Sequence, residues 1–410
     1  MIRFIHAADL HLDRPFEGLS ELPQVLHERV KQSTFKALDR LVERTLAEHA
    51  DFLILAGDIF DDSHRSLLAQ KRFVLAMKRL ETAGVPVFSV FGNHDHLDDP
   101  WNRMELPGNV HVFPTEPAMI PYIKADGQVV HLYGFSYAQR RIEKNMAADY
   151  EPAPGADYHI GILHGALSAG NQDDRYAPFS IHDLISKNFD YWALGHIHKR
   201  EQLSPPNPIW YSGDTQGLSI KETGEKGASL VELDKGGARV TFLSTADILW
   251  KKKKIDLTGK VSAEQLSEVL EEARENARSD EHGVFLSLDL SVSETDQKWS
   301  DFNDMLEELL DVLKDGEEER ADFVWPVSAD FTLKPKWDRE RLMESSHFIG
   351  DLLRLMESDE GLNDALSPLY QHYMGKRFLK TPDENEEVKI RQDAEQILVD
   401  ALLPAKSARD

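Results

Sequence analysis

The sequence predicts an α/β protein: a layered sandwich of mixed sheets, followed by a small β-α-β unit and a helical C-terminal region. Two observations carry this. Residues 1–250 alternate short apolar runs with stretches of helical apolar spacing, and beyond Leu249 the pattern becomes acidic and helical. A third concerns chemistry: most of the early apolar runs end in Asp, Asn or His.

The elements follow in order. Ile2–Ala7 reads as a strand running into Asp9 and His11. Gln24–His49 has Leu26, Val30, Phe35, Leu38, Leu41 and Val42 at helical spacing. Phe52–Ala56 is a second buried strand, ending in Gly57-Asp58-Ile59-Phe60-Asp61. Leu67–Ala83 is a helix, and Val85–Val90 a strand that leads into Phe91-Gly92-Asn93-His94-Asp95. This β-α-β-α-β rhythm implies a parallel sheet with right-handed crossovers. After Trp101 shorter strands are expected at 110–113, 129–134, 159–163, 191–194, 209–211, 228–233 and 238–243. Those at 159–163 and 191–194 run into His164-Gly165 and Gly195-His196-Ile197-His198. Beyond Leu249 come the run Lys251–Lys254, a strand at Ile255–Leu257, a helix over Ala263–Ala277 and a strand over Val284–Leu290. The lysines read as a solvated strand edge or linker. The expected divisions are residues 1–249, 250–300 and 301–410.

Composition narrows the function. The chain has 410 residues, 41% of them hydrophobic, and no Cys, which excludes disulfides, thiolate metal sites and a cysteine nucleophile. No apolar stretch has the length to span a bilayer and no signal-peptide layout opens the chain, so a cytoplasmic protein with no membrane partner is expected. The net charge is −25; residues 1–250 carry 25 Lys and Arg against 34 Asp and Glu, and residues 251–410 carry 22 against 38. This disfavours broad electrostatic binding of nucleic acid, but not a cleft whose bound cations attract phosphate locally.

Asp9, His11, Asp58, Asn93, His164, His196 and His198, with His94 beside Asn93 a further candidate, all follow strand patterns, at the sheet edge where open α/β sheets bind ligands. Any one of them alone would be a turn or a core residue; the set in order points to a site. One divalent ion takes about four to six donors, so seven suit two ions sharing a carboxylate. Donors without thiolate suit manganese, iron, zinc or magnesium-like ions, and two ions roughly 3.5–4 Å apart suit phosphate-ester hydrolysis.

Asp9-x-His11, Gly57-Asp58-x-x-Asp61, Gly92-Asn93-His94-Asp95, His164-Gly165 and Gly195-His196-x-His198 resemble the five ordered motifs of the calcineurin-like metallophosphoesterases. The surrounding residues, His6 to Leu12 and Tyr211 to Gly217 among them, resemble the SbcD-type nuclease subunits. The stretch from Ala7 to Phe16 is most similar to their YhaO branch. The resemblance implies that Asp9, His11, Asp58 and His198 hold one metal and Asp58, Asn93, His164 and His196 the other, with Asp58 bridging and manganese the expected ion. It implies that His94 protonates the leaving oxygen or stabilises the transition state, that Asp61 orients His94, and that Asp95 lies behind the ligands. Asp13 stands where typical SbcD chains have Gly, and reads as a capping carboxylate. The activity implied is that of a DNA phosphodiesterase in DNA repair, exonuclease or endonuclease, with DNA as substrate. Its partner would be an SMC-like ATPase of the YhaN or SbcC type, docked by C-terminal helices, and a homodimer is allowed. Alternatives are a phosphoesterase for nucleotides or phosphoproteins, and a non-catalytic scaffold with a structural metal site; intact His94 argues against the scaffold.

Overall fold

The computed structural model describes residues 1–19, 21–62, 66–98, 103–168, 176–257, 262–293, 299–334, 337, 339–344, 347–357, 362–372 and 384–403. Its strands are β1 (Ile2–Ala7), β2 (Phe52–Ala56), β3 (Val87–Val90), β4 (Val110–Val112), β5 (Ala118–Ile123), β6 (Val129–Gly134), β7 (Tyr158–His164), β8 (Tyr191–Gly195), β9 (Glu201–Leu203), β10 (Ile209–Tyr211), β11 (Gly227–Asp234), β12 (Gly237–Ser244), β13 (Ile248–Asp256), β14 (Gly283–Ser293) and β15 (Val324–Lys334). The helices are α1 (Gln24–Ala47), α2 (Leu67–Thr82), α3 (Ile181–Ser186), α4 (Ala263–Ala277), α5 (Trp299–Lys314), α6 (Arg339–Met343), α7 (Phe348–Glu357), α8 (Leu362–Gln371) and α9 (Glu384–Leu402).

Two six-stranded sheets form the sandwich. One has the order β12-β11-β1-β2-β3-β4, the other β5-β6-β7-β8-β10-β9. β1, β2, β3 and β4 run parallel, as do β6, β7, β8 and β10; antiparallel strands flank them as β11 and β12 in the first sheet and as β5 and β9 in the second. The expected mixed-sheet sandwich is therefore present. Strands buried on both faces carry unbroken apolar runs, as Phe52-Leu53-Ile54-Leu55-Ala56 does. Alternate residues of each run enter different cores. Phe4, Phe52, Ile54, Phe88 and Val90 meet Leu132, Ile160, Ile162 and Ala193 of the facing sheet. Ile5, Leu53, Leu55 and Val87 meet Phe35, Leu38, Phe73 and Met77 of α1 and α2. The outer face of the second sheet packs Leu163, Trp192 and Leu194 with Leu184 of α3. Four layers result, with all the parallel strand ends at one edge.

A three-stranded sheet follows, ordered β13-β14-β15. β15 differs from the helical region expected after Asp301. Its alternation is masked in sequence by Trp325-Pro326 and by acidic neighbours, and its one partner, β14, precedes it across α5. The lysine run lies inside β13 on an edge strand, where Lys252, Lys253 and Lys254 are exposed. The boundary expected near Leu249 falls within that strand, at residues whose side chains are buried with Leu26, Phe285 and Phe323.

The chain forms two compact units interleaved in sequence. The first comprises Met1–Lys253, Ser267–Leu288 and Asp304–Ala329; the second comprises Lys254–Leu266, Asp289–Asn303 and Asp330–Asp410. In the second unit, Leu353 of α7 and Val399 of α9 are buried, and Arg339 of α6 pairs with Glu395 of α9 at 2.8 Å. Phe348 and Leu355 of α7 and Ile397 and Leu402 of α9 are exposed.

Candidate metal centre

The strand-end loops are zipped together by backbone hydrogen bonds. Asp9 N–H donates to Gly57 O, His11 N–H to Asp58 O and Leu12 N–H to Ile59 O, at 3.0–3.1 Å. The exits of β1 and β2 thus run side by side past the sheet. Asp95 ties in the exit of β3: its carboxylate accepts N–H groups from Gly92 (2.7 Å), Ile59 (2.8 Å) and Phe60 (3.2 Å). Burial and the neighbouring Asp58 charge raise this carboxyl to about 7 against those hydrogen bonds.

Backbone strain collects here. Asp9, His11, Asp58 and His196 have φ of 51°, 40°, 49° and 99°, a region that costs a non-glycine residue about 1–3 kcal/mol. Asp13 lies there as well, at φ 66°, a conformation that glycine adopts without strain. Gly92 is required for space: a Cβ there would lie 2.3 Å from Asp58 Oδ1 and 2.8 Å from His164 Nε2.

All seven expected donors meet. Asp9, His11 and His198 offer ligand atoms within 4.8 Å of one another, and so do Asp9, Asp58 and His164. Asn93 Oδ1 lies 2.9 Å from His164 Nε2 and 3.2 Å from His196 Nδ1. Asp58 Oδ2 stands between the groups, 3.3 Å from His164 Nε2 and 3.9 Å from His11 Nε2. Nε2 of His11 faces Nε2 of His198 at 3.1 Å. Two ring nitrogens directed at each other need a proton or a cation between them.

Outer partners set the rings. His164 Nδ1 donates to Ala56 O (3.0 Å) and His198 Nδ1 donates to Glu222 Oε1 (2.5 Å), which turns both Nε2 atoms inward. Burial lowers both histidines. For His164 the Asp58 and Asp9 carboxylates outweigh it, and for His198 the Glu222 and Asp9 carboxylates do; each rises to about 9. Burial holds His11 below its ordinary value and His196 down at about 3. Burial raises Asp9, whereas the surrounding imidazoles overcome it at Asp58 and lower that carboxyl. The cluster thus draws positive charge onto two rings, which divalent cations would supply instead. Its oxygen and nitrogen donors, with no thiolate, fit such ions.

His94 lies beside this cluster. Its N–H donates to Asp58 Oδ1 (2.9 Å), and its ring stands edge-on to His11 with centroids 5.1 Å apart. Nδ1 donates to Asp62 Oδ1 at 2.9 Å, while Asp61 Oδ2 is 3.7 Å away. Asp61 Oδ2 lies 3.6 Å from His11 Nδ1 and 3.5 Å from Arg14 Nη1. The hydrogen bond expected from Asp61 to His94 is therefore made by Asp62. Sequence reasoning also missed Glu222 and Tyr176, whose ring lies over His196 at 4.8 Å. Asp62 adjoins a motif and could have been found; Glu222 sits in a turn that carries no pattern.

The family model for calcineurin-like phosphoesterases matches residues 2–200. Over 399 residues, 97% of each chain, the protein is 37% identical to YhaO of Bacillus subtilis (strain 168), described as an uncharacterized metallophosphoesterase. The chain belongs to the calcineurin-like metallophosphoesterases. It is thus a member of a hydrolase family that uses a dinuclear metal site. The phosphoesterase is also 28% identical over 258 residues to the DNA double-strand break repair protein Mre11 of Methanopyrus kandleri, covering 58% of this chain and 55% of that one. It is 23% identical over 271 residues to a subunit of the SbcCD nuclease of Bacillus subtilis, covering 57% of this chain and 67% of that one. Among the described residues, no helix is long and apolar enough to cross a membrane.

Proposed function

We propose that this metallophosphoesterase is a DNA phosphodiesterase acting in DNA repair, dependent on two divalent ions, manganese by preference, and working with an SMC-like ATPase. The observation that carries the reading is the paired arrangement of donors around Asp58, with His94 beside them. Asp9, His11, Asp58 and His198 would hold one ion, and Asp58, Asn93, His164 and His196 the other. The ions would supply positive charge for the phosphoryl oxygens and a water of lowered pKa. Asp58 orders the site from both sides, through its Oδ2 among the imidazoles and its Oδ1 on the His94 N–H. His94 donates a proton to the leaving oxygen.

Relatives described as a DNA break repair protein and as part of a nuclease support a DNA substrate. The functional division is part of the proposal: residues 1–249 carry the chemistry, 250–300 cap the site and 301–410 dock the ATPase. Phe348, Leu355, Ile397 and Leu402, apolar and exposed, favour a protein partner for the last helices. The test is purified protein with manganese on single-stranded DNA, duplex ends, bis-p-nitrophenyl phosphate and phosphopeptides. DNA cleavage that EDTA abolishes and manganese restores best is the expected result. Hydrolysis of phosphopeptides but not DNA would overturn the substrate, and no hydrolysis of any of the four would overturn the enzyme.

A further inference from the structure

We infer that Asp62, held from outside by Arg140, is the positioning residue for His94. This rests on the reading of His94 as the proton donor. The distances separate the two adjacent carboxylates. Asp62 Oδ1 is 2.9 Å from His94 Nδ1, within hydrogen-bond range, and Asp61 Oδ2 at 3.7 Å is not. Their surroundings differ as well. Asp61 is buried and faces His11 and Arg14, on the side of the metal ligands. Asp62, with 18% of its side chain exposed, and His94, with 21%, lie at the open side where a substrate arrives.

The chemistry follows from the hydrogen bond. A carboxylate only accepts, so the His94 proton on this side is fixed at Nδ1 and Nε2 is the end of the ring left for the substrate. The attacking water gives one proton to solvent; as its oxygen bonds to phosphorus, the bond from phosphorus to the leaving oxygen breaks and its electron pair stays on that oxygen. The Nε2 proton of His94 passes to it, and the ring ends neutral with its Nδ1 proton still donated to Asp62. Arg140 completes the device. Its Nη1 lies 2.8 Å from Asp62 Oδ2. A bare carboxylate at the mouth would repel a phosphodiester; one paired with a guanidinium orients the histidine without that cost.

Asp62→Asn, Asp61→Asn and His94→Gln should be compared on a short DNA oligonucleotide, whose leaving alkoxide needs a proton, and on bis-p-nitrophenyl phosphate, whose leaving phenolate needs little. Metal content and the ¹⁵N signals of the His94 ring are read in parallel. Asp62→Asn should keep both metal equivalents and its KM, while kcat on the oligonucleotide falls about 10–100-fold. The phenolate ester should fall much less, the ¹⁵N signals should show a changed Nδ1–Nε2 proton distribution, and Asp62→Glu should restore part of the rate. Equal losses on both substrates, or loss of metal, would make Asp62 structural and overturn the inference. So would the leaving-group dependence appearing in Asp61→Asn instead. An undiminished oligonucleotide rate in Asp62→Asn while His94→Gln is slow would sink the inference alone. An undiminished rate in His94→Gln would remove the proton-donor reading and the inference with it.

Discussion

Asp58 is the side chain with the most duties. One oxygen lies among the imidazoles of both ligand groups, and the other accepts the His94 N–H. Asp58→Ala should therefore lose both metal equivalents, read by metal analysis after gel filtration; retention of two would refute the bridging assignment. His94→Gln touches no donor atom of the seven. It should keep the metals and lose about 10²–10⁴-fold in kcat on a poor leaving group. Gly92→Ala tests space alone. Its methyl has no room between Asp58 and His164, neither of which can move without leaving the cluster. The variant should fold, by circular dichroism, and fail to retain metal.

Among the elements, the end of α4 is tied to the start of β15 through charged groups. Arg278 gives Glu317 two hydrogen bonds, at 2.8 and 3.0 Å, and Glu317 also accepts the Val324 N–H at 2.7 Å. Burial alone would raise the Glu317 carboxyl; Arg278 and Val324 outweigh it and hold it below its ordinary value. A carboxyl depressed in the folded state stabilises above its unfolded pKa, near 4.5, and loses that contribution as pH falls through the folded value. Glu317→Gln should cost about 1–3 kcal/mol at pH 7, from urea unfolding, because Arg278 keeps a buried charge less well satisfied. The difference from wild type should shrink as pH falls below about 4.5. A difference independent of pH would show that packing, not charge, makes the contact.

For the whole molecule, the charge of −25 makes phosphate binding depend on whatever cations the strand-end cluster holds. Metal-stripped protein should lose oligonucleotide binding, measured by fluorescence anisotropy, and regain it with manganese. The proposed division of labour gives a second expectation. A chain ending after Lys334, the last residue of β15, should keep metal binding and small-diester hydrolysis but no longer co-purify with the SMC-like ATPase. Undiminished co-purification would place the docking surface elsewhere.

The sandwich, and the candidate donors at its strand ends, could be read from residue order alone. Each donor follows an apolar run, the runs are too short for helices and are bounded by turn residues, and parallel strands deliver their ends to one edge. Asp9, His11, Asp58, Asn93, His164, His196 and His198 were therefore candidates before any distance was known, together with His94, which only the family resemblance set apart from the ligands. Tertiary structure alone decided what lies one step outward. Asp61 and Asp62 are neighbours of the same chemistry, and which of them meets His94 depends on the path of the loop leaving β2. Glu222 reaches His198 from a turn without periodicity, and β15 exists because β14, across α5 in the chain, pairs with it. These are long-range choices, made by loop geometry and strand pairing, and no local pattern of residue types encodes them.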